Sequence, residues 1–167
     1  MKVLLISANT EMINMPVLPL GMAFVARAAE DAGHKVSQIN LMAEPEALKS
    51  LEKQIHNVQP NIIGISVRNI DDQASNQPRF LLDPVKEIIS VCRQNSAAKI
   101  VLGGAGYSIF PRHALTYLDA DMGIQVLNWP PMQDKMEIYH LMTAFCFQNS
   151  TLKTAWRNGY EKPLKPG

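Results

Sequence analysis

NIIGISV, residues 61–67, carries only β-branched aliphatic side chains apart from Asn61, Gly64 and Ser66. Such residues favour extended backbone. Apolar character at nearly every position, rather than at every second one, marks a strand buried on both faces, as in the middle of a parallel sheet. Similar short runs recur on either side: KVLLIS (2–7), HKVSQIN (34–40), KIVLGG (99–104) and DMGIQV (121–126). Between them lie longer segments of helical period. In LPLGMAFVARAAEDAG (18–33), Leu20, Phe24, Val25 and Ala28 recur at three- and four-residue steps, and Gly33 ends the helix. EPEALKSLEKQIHNVQP (44–60) places Leu48, Leu51 and Ile55 on one face, with Pro60 as its stop. FLLDPVKEIISVCRQN (80–95) is predicted to start its helix at Pro84, and PRHALTYLDA (111–120) is a shorter helix.

Strand and helix alternate five times, which predicts an α/β domain on a doubly wound, five-stranded parallel sheet with right-handed crossovers. The first helix directly follows the first strand. The expected strand order is therefore the flavodoxin-like (Rossmann-like) 2-1-3-4-5, whose ligands sit at the carboxyl ends of strands one, three and four. Those ends are SANTEMINMPVLPLG, SVRNIDDQ and GGAGYS. The α/β domain is expected over residues 1–125. Residues 126–167 pass a Pro130-Pro131 break and are expected to supply a helix (132–147) and a tail that pack on the same domain.

Composition restricts the functions further. The chain of 167 residues is 47% hydrophobic and 19% charged with a net charge of +1, so nothing in it argues for a nucleic acid or an anionic membrane as partner. Cys92 and Cys146 lack CxxC spacing and read as reduced core residues. MKVLLISANTE is too short and too soon polar for a signal-peptide core, and no run reaches the ~18 apolar residues of a membrane span. The expected location is cytoplasmic.

The three loops fail most tests for familiar chemistry. GxGxxG does not follow strand one, and GxxxxGK[ST] is absent. Gly104-Ala105-Gly106 follows strand four instead, where it reads either as a sharp turn needing glycine torsions or as a place where something bulky lies against the strand end. A receiver domain would need acidic residues after strand one and an aspartate ending strand three, but the chain has Ser7-Ala8-Asn9 and Ser66-Val67-Arg68 there. Ser66 lacks a G-x-S-x-G frame, Asp71 and Asp72 lack further clustered ligands, and His113 is the one histidine beside the expected ligand edge. The first loop, NTEMINMPVLPLG (9–21), is apolar where a phosphate binder would carry glycines.

Taken together, NTEMINMPVLPLG, GISVRNIDDQ and VLGGAGYSIFP resemble the cobalamin-binding domain of B12-dependent radical S-adenosylmethionine (SAM) proteins, over about residues 1–125. The wider family carries D-x-H-x-x-G after strand one, then S-x-L, then G-G. Aligned on Gly21, Pro16 stands at the aspartate and Leu18 at the cobalt-ligating histidine; Ser66 matches the serine, Arg68 replaces the leucine, and Gly103 and Gly104 match the glycine pair. The resemblance implies a corrinoid as ligand, held base-off and without a histidine axial ligand. The cofactor-binding residues it implies are Met15, Leu18, Leu20 and Gly21 in the first loop, then Ser66, Val67, Arg68 and Asn69 in the second. The third loop adds Gly103, Gly104, Ala105, Gly106 and Tyr107. No catalytic residue and no protein ligand to metal is implied.

The CxxxCxxC motif of radical SAM enzymes is absent and the resemblance ends near Gln125, so the expectation is a cobalamin-binding module with no iron–sulfur cluster and no independent turnover. Its expected partners are the corrinoid, a radical SAM or methyltransferase protein, and a second copy in a homodimer. Two other readings stay open: a corrinoid-free protein-interaction domain of the same fold, and a small nucleotide- or flavin-binding enzyme.

Overall fold

The computed structural model describes residues 1–10, 18–72, 76–77 and 79–125. The expected helix over 132–147 and the tail lie outside them, as do Met15 and Pro16. The chain divides into the units Met1–Trp129 and Pro130–Gly167; the described elements belong to the first.

Strand β1 (Lys2–Ser7) is buried from Val3 onward and lies between β2 (Lys35–Asn40) and β3 (Ile62–Ser66). Beyond β3 come β4 (Lys99–Gly103) and a two-residue β5 (Met122–Gly123), giving the parallel order β2-β1-β3-β4-β5. This is the predicted topology. Chains of apolar strands with no polar face need cover on both sides, and the crossover helices provide it.

Successive strand residues point to opposite faces. Leu4, Ile6, Ile63, Ile65, Ile100 and Leu102 share one face with α2 (Ala47–Val58), α3 (Leu82–Asn95) and α5 (Pro111–Leu118). There they meet Leu51, Ile55, Ile88, Cys92 and Leu118, all buried. Each large aliphatic so enclosed contributes about 1.5–3 kcal/mol, and this layer is the main core. Helix α1 (Leu20–Asp31) packs on the other face, against β1 and β2.

Four local readings differ from the sequence expectation. Helix α1 buries Met22, Ala26 and Ala29, while Leu20 and Phe24 stand exposed. The two alanines present a small-residue stripe that lets the helix approach the sheet closely, so the bulkier stripe faces out. In α2, Leu51 and Ile55 are buried but Leu48 is exposed. Helix α3 begins at Leu82, and Pro84 sits in its first turn, where its missing N–H has no intrahelical role. Finally, GGAGYS is not all loop: Ala105–Ile109 forms a one-turn helix, α4, too short to show a period in sequence.

Candidate functional site

The strand register brings Asn40, Ser7, Ser66 and Gly103 into one row across the carboxyl end of β2, β1, β3 and β4. Ser7 is buried, Ser66 and Gly103 half-buried. Paired positions in a parallel sheet point to the same side, so this row shares the α1 face with Leu5 and Val101. Among the described residues, a Cβ added at Gly103 would meet nothing closer than the Ile124 carbonyl oxygen at 4.0 Å, and one at Gly21 nothing within 4 Å. No described residue therefore crowds the end of β4 above this row.

Gly104 answers to a different constraint. Its φ of +99° and ψ of 171° fall in a region essentially reserved for glycine. A Cβ there would lie 2.4 Å from the Val67 carbonyl oxygen. The turn is clamped onto the exit of β3: the Val67 N–H donates to the Gly103 carbonyl at 2.8 Å, and the Gly106 N–H donates to the Val67 carbonyl at 3.0 Å. Gly106 is equally tight, its Cβ position 2.8 Å from the Arg68 carbonyl group. Of the two readings of this glycine run, Gly104 takes the sharp-turn one; Gly106 is required by the close approach of the Arg68 backbone, and Gly103 is uncrowded among the described residues.

The remaining predicted residues separate into inside and outside. Val67 and Tyr107 are buried in the main core, and burial raises the Tyr107 phenol above its ordinary range, so it stays neutral. The Tyr107 ring fills the position a side chain on Gly123 would need, which makes β5 intolerant of anything larger there. Leu18, Leu20, Gly21, Arg68, Asn69 and Ala105 are exposed. Leu18 immediately precedes the Pro19 N-cap of α1 and is 74% exposed; Leu20 opens the helix at 63%. Two apolar side chains so open at a strand–helix junction form a surface suited to a flat apolar ligand.

Sequence reasoning missed two features. Ser7 joins Ser66 only through the β1–β3 register, and the signal for it was its place as the last residue of the first strand. The second feature is a crevice between the exits of β1 and β3 and the start of α3. Its rim carries Asn9, Thr10, Arg68 and Asn69; buried Ala8, Val67, Leu81 and Val85 line its depth. The Ala8 N–H donates to the Ser66 carbonyl at 3.2 Å, which joins the two loops. The loop after β3 is itself braced: Asp72 accepts from the Arg79 backbone N–H at 2.9 Å and pairs with its guanidinium at 2.8 Å.

His34, half-buried at the opposite end of the sheet, is held below its ordinary pKa by burial and then by the chain's amino-terminal ammonium, 3.3 Å from its Nδ1. His56 and His113 are exposed on α2 and α5. Among the described residues no group of three or more His, Cys, Asp or Glu could hold a metal ion. Among them, no helix is long and apolar enough to cross a membrane.

Comparison with known proteins agrees with this architecture. Over 118 residues the chain is 25% identical to tryptophan 2-C-methyltransferase of Streptomyces laurentii, a match covering 70% of this chain and 20% of that protein. Two structures of the radical S-adenosylmethionine methyltransferase TsrM from Kitasatospora setae superpose with a TM-score of 0.69. One holds tryptophan and aza-SAM, at 25% identity over 82% of this chain; the other holds cobalamin and a 4Fe–4S cluster, at 24% identity over 87%. Each match covers 25% of TsrM, so the chain spans a fifth to a quarter of the relatives it matches. The response regulator domain of Thermotoga maritima CheB, at TM-score 0.51 and 7% identity, shares the fold alone. The family described as B12 binding domain matches residues 6–126. With the sheet order in agreement, this match over most of the chain shows that the chain belongs to the B12-binding domain family.

Proposed function

We propose that this chain binds cobalamin base-off, with no protein histidine at the lower face of cobalt, and presents it to a radical SAM or methyl-transfer partner. The observation that carries the reading is the strand end: Ser66 and Gly103 terminate neighbouring strands in register, and no described residue comes closer than 4.0 Å to a Cβ position on Gly103. A detached nucleotide tail needs such a slot, and the Ser66 hydroxyl can donate or accept a hydrogen bond there. Exposed Leu18 and Leu20 support an apolar floor for the corrin disc. The residues present therefore fit the group. When bound, cobalamin supplies methyl-carrier chemistry at cobalt.

The chain's own part is to hold and orient. The Val67–Gly103 and Gly106–Val67 hydrogen bonds fix the two strand exits that flank the slot, and among the described residues nothing lies within 4 Å of a Cβ position on Gly21 at the start of α1. The described histidines lie on α2, on α5 and at the far end of the sheet, none of them in the segment between β1 and α1, which supports a lower face without imidazole. The methyl acceptor and the reductive chemistry are assigned to the partner.

Mixing the purified full chain with hydroxocobalamin and following gel-filtration co-elution and the visible spectrum tests this. The expected result is retained corrinoid with a base-off spectrum; no retention under oxidising and reducing conditions overturns it. A second reading, a corrinoid-free contact module, is favoured by Ile109 and Phe110, both 56% exposed. A stable complex formed by protein that retains no corrinoid would support that one.

A further inference from the structure

We propose that the outer edge of β2 is a homodimer interface, along which a second copy of this chain adds its own β2 antiparallel about a two-fold axis at Gln38. The inference stands apart from the cobalamin reading.

The sheet has two edges, and β2 is the long one, with six residues against the two of β5. The Lys35 N–H donates to the Met1 carbonyl at 2.9 Å. Alternate residues of a parallel ladder turn both peptide groups to the same neighbour. Lys35, Ser37 and Ile39 therefore face β1, while Val36, Gln38 and Asn40 turn outward. Among the described residues no hydrogen bond reaches the outward groups of Val36 or Gln38. Such an edge is ordinarily blunted by proline, a bulge or a charge. Here the register with β1 runs unbroken, and residues 36–40 contain neither proline nor charge.

The strand is complementary to itself. With Gln38 on the axis, each Gln38 exchanges both main-chain bonds with its counterpart, and Val36 pairs with Asn40 of the second copy. The two Lys35 residues fall at opposite ends of the pair, so no like charges oppose each other. Each lysine instead lies opposite Leu41 of the second copy. The Glu44 N–H donates to the Leu41 carbonyl at 3.2 Å, a turn that keeps an acidic side chain beside each lysine. Helix α2 adds an apolar contact. It packs on β1 and β2 with α3 along one flank. Ala47, Ser50, Gln54 and Val58 on that flank are half-buried, whereas Leu48 and Glu52 on the other are exposed. Leu48 thus stands on the flank above the β2 edge. The antiparallel pairing continues the sheet and points the two carboxyl ends in opposite directions, leaving the loops after β1, β3 and β4 of each copy clear.

Sedimentation velocity of the full chain over a concentration series tests this. The expected mass rises to that of two chains. Gln38→Pro removes the N–H donors on the axis without touching the β1 ladder, because proline is tolerated where an edge strand's N–H faces outward. It should raise the dissociation constant about thirtyfold, with the far-ultraviolet circular dichroism unchanged. Gln38→Lys and Gln38→Glu set like charges across the axis and should each weaken the dimer about fivefold. An equimolar mixture of these two should recover wild-type association, which a folding defect would not do. A wild-type chain that stays single at the highest concentration reached overturns the proposal, and so does a dimer that all three variants leave unchanged. Weakening by Gln38→Lys and Gln38→Glu without recovery on mixing overturns the two-fold at Gln38.

Discussion

At the amino end of the sheet, strands are tied by polar contacts; at the carboxyl end, side chains are left open to solvent. Asn61 Oδ1 accepts the Lys2 N–H at 2.8 Å, and the Asn61 N–H donates back to the Lys2 carbonyl at 2.9 Å. Asp121 accepts the Ile100 N–H at 2.8 Å while pairing with Arg93 at 2.9 Å and Lys99 at 3.2 Å. By contrast Leu18, Leu20, Ile109 and Phe110 are each more than half exposed. The difference teaches where stability resides. Polar ties and the α2–α3–α5 core hold the sheet from one end and one face, so exposed apolar side chains at the other end cost the fold little. Fixed points at that end are the Asp72–Arg79 pair after β3 and, most tightly, the β4–α4 turn, where Gly104 is held by its own backbone.

That turn offers the largest effect. Gly104→Ala should cost about 2–4 kcal/mol, combining a glycine-only conformation with displacement of Val67, and should abolish corrinoid retention with it. Urea unfolding measures the first; a wild-type midpoint would mean the turn is no fixed point. Next comes Asp121→Ala, expected to cost about 1–3 kcal/mol by leaving the Ile100 N–H without its acceptor and removing the ion pairs to Arg93 and Lys99. Corrinoid affinity of the folded protein should not change, and a parallel loss would show that the two ends are coupled.

The amino end should also be the acid-sensitive one. Burial alone would raise the Asp121 carboxyl, but the Ile100 N–H, Arg93 and Lys99 outweigh it and hold the group below its ordinary 3.8. Its contribution is complete above that value and is lost as pH falls through the lower folded one. His34, also depressed, keeps its neutral ring favoured; its contribution is complete above the ordinary 6.5 and is lost as pH falls through its folded value. Stability should thus decline in two steps on acidification, and Asp121→Asn should flatten the lower step in a series of urea midpoints.

Smaller effects are expected at the open end. Leu18→His should leave stability within about 0.5 kcal/mol, as for other exposed positions. In cobalamin-loaded protein it should change the visible spectrum by adding a lower ligand; no spectral change would place Leu18 away from cobalt. The smallest effect of all should come from thiol reagents. Burial pushes the Cys92 thiol up to about 12, so in a Cys146→Ser background, which removes the chain's other cysteine, native protein should stay unlabelled until urea opens the core.

How much of this was legible depends on the range of the interaction involved. Ile62, Ile63 and Ile65 announce a central strand because burial on both faces leaves no room for polar alternation, and the whole strand order follows from that and the helices between. The face of α1 was misread because Leu20 and Phe24 carry a clear period, whereas Met22, Ala26 and Ala29 are selected by closeness to the sheet. No local pattern distinguishes an apolar stripe meant for the core from one left for a ligand. The first-loop expectation at Met15 falls outside the described residues.

The sequence by itself determined the fold class, the three loops at the ligand end and the B12-binding resemblance, because these depend on local period and on residue types at fixed spacing. Tertiary structure alone decided that Ser7, Ser66 and Gly103 form one row, that Gly104 serves the turn while no described residue crowds Gly103, and that Arg68 and Thr10 line one crevice. Each of these is a relation between strands more than thirty residues apart in the chain or a clash measured in tenths of an ångström, and neither is written in any one segment.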